Sequence, residues 1–170
     1  SSPEGESSGS DSDDNSGEDS PNNSPVSLEI QNVDLTAGTL DIYMTNTAGC
    51  SYCDENTLIN TTQALCESEE GASWVFDSNM DDIACSDASG IWFNGEVGGF
   101  NFTMTGIDIG DNSSAATGGS TEENSFTVST SSLASGNPKI VGFSLSGTTI
   151  PPGSGILFTL TFSSVDSNIC

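Results

Sequence analysis

The stretch Gly98–Asp111, GGFNFTMTGIDIGD, alternates apolar Phe100, Phe102 and Met104 with polar Asn101, Thr103 and Thr105. Successive side chains of an extended chain point to opposite faces, so the segment predicts a strand with one face in a core and the other in water. The wet face carries Asn101-Phe102-Thr103, an acceptor sequon for an N-linked glycan. The same period recurs on both sides of this segment. Val26, Leu28 and Ile30 alternate with Ser27, Glu29 and Gln31, and Leu40, Ile42 and Met44 alternate with Asp41, Tyr43 and Thr45. Further along, SFTVST carries Phe126 and Val128, IVGFSLSG carries Val141, Phe143 and Leu145, and GILFTLTFSS carries Ile156, Phe158, Leu160 and Phe162. Turn formers in TAGT, SGNP and TTIPPGSG punctuate these runs, and no stretch has a helical period. Short one-sided strands between turns predict an all-β fold, an antiparallel β-sandwich over residues 26–170.

Residues 47–96 break the rhythm and hold four of the five cysteines, Cys50, Cys53, Cys66 and Cys85. Within them CESEEGASW (Cys66–Trp74) and CSDASGIW (Cys85–Trp92) echo each other: a Cys, four residues, a Gly, then a Trp. By spacing, the four cysteines suit either a zinc site or two disulfides in any of three connectivities. Glycosylation sequons and the scarcity of cations favour an oxidising compartment and hence disulfides, with Cys50 and Cys53 reaching out to Cys66 and Cys85 instead of closing on each other. No metal is expected there. The segment reads as a disulfide-stapled loop insertion, because a small unit without a periodic core needs covalent help. Trp74 and Trp92 are expected to fill its small interior. Cys170 is left over, either unpaired or intermolecular.

Residues 1–25, SSPEGESSGSDSDDNSGEDSPNNSP, read as an acidic Ser/Gly/Pro-rich tail or linker. The run Asp11–Gly17 has the composition of a calcium loop, but its glycine falls one place late for that spacing. Over all 170 residues the net charge is −24, with Lys139 the only cation and no histidine. Such a surface has no basic footprint for nucleic acid and no grip on anionic membranes or phosphate substrates. The absence of histidine excludes Ser-His and Cys-His nucleophile activation and imidazole metal sites. Carboxylate pairs such as Glu69/Glu70 and Asp81/Asp82 have the chemistry a glycosidase uses, yet adjacent acids on a surface insert are ordinarily solvated. No catalytic residue and no organic cofactor are expected; Ca2+ is the one ion that acidic loops invite. Lys139 reads as a surface lysine, since an isopeptide cross-link requires a buried, nucleophilic amine.

No apolar run approaches the roughly 20 residues of a membrane helix. The first residues lack the basic and apolar regions of a signal peptide, so the chain reads as a mature product or a fragment. Sequons at Asn22, Asn60, Asn101 and Asn112, together with the cysteines, point to a secreted or surface-displayed protein.

Four segments taken in order, GTLDIYMTNT (Gly38–Thr47), VGGFNFTMTGIDI (Val97–Ile109), FTVSTSSLASGNPKIVGFSLSG (Phe126–Gly147) and IPPGSGILFTLTF (Ile150–Phe162), resemble a cohesin-like module. This is the β-sandwich of cellulosome scaffoldins and many bacterial surface proteins. Cohesins typically carry an A/G-G-F-x-F strand, a later hydrophobic-x-G-F-S strand and a G-x-G-x-L-x-x-L-x-F strand near the end. The likeness is one of pattern and spans most of residues 26–162 outside the insert. The cysteine-rich insert departs from the usual cohesin, and the sequence stops at Cys170 where the family has a further strand. Dockerin recognition therefore does not carry over. What the resemblance implies is a non-catalytic, extracellular, interaction-building domain. The expected function is a structural or adhesive module, a repeating subunit of a glycosylated surface filament assembled by strand or tail exchange. Its partners would be other copies of itself, other surface proteins or glycans, without nucleic acid and without direct membrane insertion. The alternative is a carbohydrate-binding module that stacks sugars on Trp74, Trp92, Tyr43 and Tyr52.

Overall fold

A strand with one apolar face must cover that face, and this chain does so by pairing its strands into antiparallel sheets that share buried residues. The computed structural model describes residues 24–55 and 62–166. In chain order the elements are β1 (Val26–Asp34), β2 (Thr39–Asn46), β3 (Gly49–Cys53), α1 (Gln63–Cys66), β4 (Trp74–Asp77), α2 (Asp82–Asp87) and β5 (Ile91–Phe93). They continue with β6 (Gly99–Thr103), β7 (Ile107–Asp108), β8 (Ala116–Thr117), α3 (Gly119–Glu123), β9 (Thr127–Ser132), β10 (Pro138–Phe143), β11 (Gly153–Thr161) and β12 (Ser164–Val165). The strands form a four-stranded sheet β1-β2-β11-β8, a three-stranded sheet β6-β10-β9, a second three-stranded sheet β4-β3-β5 and the pair β12-β7. The acidic tail before Ser24, the calcium-like run, Asn22, Asn60 and Cys170 lie outside the described residues.

One apolar cluster draws on both larger sheets. Leu40, Ile42 and Met44 of β2, Leu157, Phe158 and Leu160 of β11, and Ile140 of β10 are buried in it. Phe100, Phe102, Phe126 and Val128 pack against it half-buried. Phe158 is fully buried and stacks on Phe100 and Phe102, with ring centroids 5.9 and 6.2 Å away. Between β1 and β2 the chain turns on Asp34, whose Oδ1 accepts the N–H groups of Thr36 and Ala37 at 2.9 Å each. Gly38 closes this turn with φ +67°, where a side chain would be strained and would also meet the Phe162 carbonyl.

Alternation places β2 as expected, but two other strands depart from it. In β10 the buried positions are Pro138, Ile140 and Gly142, so Val141 and Phe143 face outward, and Leu145 stands exposed in the following turn. The inward phase is hidden because one of its members is glycine: Gly142 pairs with Phe100, whose ring occupies the space a Cβ would take. In β11 the pairing with β2 shifts between Ile156 and Phe158. A bulge at Leu157 turns that side chain inward beside Phe158 and leaves Ile156 partly exposed.

Among the described residues three short helices interrupt the strands, each of four to six residues and too short to display a period in sequence. The 47–96 insert is likewise more than a loop. It builds its own sheet β4-β3-β5 with α1 and α2 beside it. The two Cys-to-Trp echoes become two helix-to-strand units, α1–β4 and α2–β5, whose strands flank β3 on either side.

Candidate functional site

β1 and β6 are edge strands of the two larger sheets, each paired on one side only among the described residues. Between them runs a groove of about 310 Å³ lined by Leu28, Ile30, Ile42, Phe102 and Met104, with Glu29 and Thr103 alongside. Its walls follow from the alternation of β1, β2 and β6, which turns their apolar sides toward the core. At the edge no further described strand covers that side, so Leu28 keeps 42% of its surface exposed although it pairs with the buried Met44. Phe102 is half-buried for the same reason. An apolar floor beside open backbone donors and acceptors has the features that accept an added strand.

The outer face of β6-β10-β9 presents the glycan sequon. Asn101 and Thr103 are exposed, while Phe100 and Phe102 point inward and Met104 is buried just beyond the strand. Asn112, the other sequon within the described residues, sits in a turn where its Oδ1 accepts the Ser114 N–H at 3.0 Å and its carbonyl accepts the Thr130 hydroxyl at 2.6 Å. Lys139 lies outward on β10, half-buried, opposite Thr103 and Ser131.

In the insert the cysteines form Cys50–Cys85 and Cys53–Cys66. The odd spacing of Cys50 and Cys53 along β3 sends their side chains to opposite faces, so each bonds a different helix. The same rule separates the tryptophans. Trp92 pairs across from Cys50 and Trp74 across from Cys53, so they lie on opposite faces of the small sheet. Tyr43 belongs to the outer face of a different sheet, opposite Glu29 and Ile156. Tyr52, two residues from Cys50 on β3, shares a face with Trp92, but Trp74 and Tyr43 lie elsewhere, so the four form no common platform; Trp92, with 38% of its surface exposed, does not fill an interior.

The acidic pairs considered above converge on no cleft. Asp81 caps α2 by accepting the Ala84 N–H at 2.8 Å, while Glu69, Glu70 and Asp82 are exposed. A polar cleft of about 220 Å³ near the β12-β7 pair brings Asp108 and Asp166 beside Asn137, but Asp108 already accepts the Gly110 N–H at 2.7 Å. Among the described residues no three Cys, His, Asp or Glu side chains converge as a metal site. No described helix is long and apolar enough to cross a membrane. The two disulfides point to an oxidising environment. Comparison of the chain with protein-family models, curated proteins and solved structures returns no match.

Proposed function

We propose that this chain is a non-catalytic extracellular module, a cohesin-like β-sandwich that builds surface assemblies by accepting a β-strand from another polypeptide. The carrying observation is the apolar groove between the edge strands β1 and β6, with Leu28 exposed on its wall. A strand added there hydrogen-bonds to an open backbone edge and seats alternate side chains against Leu28, Ile42 and Phe102. Charge selects the donor. At −24 with one cation, a second copy approaches against its own field, and residues 1–25 contain no apolar side chain other than proline to seat in the groove. The donor is therefore a strand of another surface protein, apolar at alternate positions and basic between them. A filament of identical copies is the competing arrangement and requires screening by salt or divalent cations. The sugar-stacking alternative has less support, because the tryptophans lie on opposite faces.

The test uses two peptides with the nine-residue length of β1, one alternating valine with lysine and one alternating valine with glutamate. Thermal stabilisation of the protein by each is measured, together with light scattering of the protein alone at low and high salt. The lysine peptide is expected to stabilise the protein, less so as salt rises, and not at all in Leu28→Asp. Oligomers of the protein alone at high salt, abolished by Leu28→Asp, would make a second copy the donor and overturn the heterologous one. No peptide binding and a monomer at every ionic strength would overturn strand addition altogether.

A further inference from the structure

We infer that Asn101 carries an N-linked glycan whose first sugar is seated on the outward side chains of Val141 and Phe143. The register of β6 on β10 places Val141 directly opposite Asn101 and Phe143 opposite Gly99. Paired residues share a face, so Asn101, Val141, Phe143 and Thr103 all stand on the outer side of this sheet. Apart from half-buried Lys139 opposite Thr103, the rest of that face is small and polar: Thr127, Ser129 and Ser131 of β9 occupy the row beyond β10. A half-buried valine and a phenylalanine with 39% of its surface in water make a small apolar patch on this face, open to a cover.

The cover is supplied from the same sheet. Phe143 is the diagonal neighbour of Asn101, at the roughly 7–8 Å separation across which large side chains still meet. Gly99 contributes no side chain between them, so the way from the Asn101 carboxamide to the ring is clear on the β6 side. A sugar linked to Asn101 Nδ2 has one face of C–H groups and a polar rim. Laid along the strand pair, it stacks that face on the Phe143 ring and Val141 methyls and leaves its hydroxyls in water. The other described sequon lacks these neighbours, since Asn112 lies in a turn flanked by Asp111, Ser113 and Ser114.

The test is the full chain secreted from a eukaryotic host, with Asn22→Gln, Asn60→Gln and Ser114→Ala so that one sequon remains. Glycopeptide mass spectrometry reads occupancy at Asn101. Melting is then compared between protein trimmed to a single sugar and Asn101→Gln, each with Phe143 and with Phe143→Ser. The sugar is expected to raise Tm by about 2–4 °C with Phe143 present, and to leave it unchanged in Phe143→Ser. Phe143→Tyr is expected to keep the gain. Should Phe143→Ser fail to fold, the sugar's proton resonances decide, because stacking on the ring shifts them upfield. A bare Asn101, an equal gain without the Phe143 ring, or unshifted sugar resonances would each overturn the inference.

Discussion

The two larger sheets and the cysteine-rich insert hold themselves together by different means. In the sheets, buried Leu40, Ile42, Met44, Ile140, Leu157, Phe158 and Leu160 form a shared core with no covalent help. In the insert, the only buried hydrophobic residues among those described are Cys50, Cys53, Cys66 and Cys85, while Leu65, Ile83, Ile91 and Trp92 remain exposed. A unit of this size cannot enclose enough apolar surface to offset the ordering of its backbone, so two bonds restrict its unfolded ensemble instead. Stability that comes from burial and stability that comes from cross-linking should therefore be separable in one chain.

Reduction is the largest test of that separation. By loop length, the Cys50–Cys85 bond, closing 35 residues, contributes about 4 kcal/mol and the Cys53–Cys66 bond, closing 13, about 3 kcal/mol. Both tryptophans of the chain lie in the insert, so their emission reports on it alone. Reduced protein is expected to show red-shifted tryptophan emission while far-UV circular dichroism retains the strand signal of the larger sheets. Simultaneous loss of both signals would mean that the insert and the sheets are one cooperative unit, and the contrast would fail.

Next in size is the core itself. Phe158→Ala is expected to cost about 3–5 kcal/mol in denaturant unfolding followed by circular dichroism, since the ring is fully buried and stacked on two others. Phe102→Ala should cost clearly less, because the open edge leaves that ring half-buried. Equal losses would mean that the groove is covered in solution.

The smallest effect sharpens the boundary between the two regions. Asn46 is buried, and its Nδ2 donates to the Gly95 carbonyl at 2.5 Å and the Pro151 carbonyl at 2.9 Å, tying the two ends of the insert to the strand beside them. Asn46→Ala strands both carbonyls and is expected to cost about 1–3 kcal/mol. If it also shifts the tryptophan emission, the insert depends on this tie as well as on its disulfides.

How much of this was readable beforehand depended on whether a position leaves a local mark. The inward row of β2 was legible because nothing interrupts its alternation, and the exposure of Asn101 was legible from Phe100 and Phe102 beside it. The phase of β10 was not, because the inward Gly142 carries no hydrophobic signal while the outward Phe143 and Leu145 mimic a buried row. At Ile156-Leu157-Phe158 three apolar residues in succession do not tell which pair turns inward, and the bulge is set by pairing with β2. The strand-edge groove escaped for a different reason: Leu28 and Phe102 look like any core residues until the order of strands leaves both at an edge.

The sequence by itself determined the class of local structure, short one-sided strands, since alternation and turn residues act through the sterics of neighbouring residues. It also determined which chemistries are missing, because a chain without histidine and with one cation lacks those groups in any fold. Tertiary structure alone decided which helix each cysteine of β3 reaches, which strands stand at an edge, and that Val141 and Phe143 share an outer face with Asn101. Those outcomes rest on contacts between residues far apart in the chain, made where backbone pairing and shared burial bring them together, and no neighbour in sequence records them.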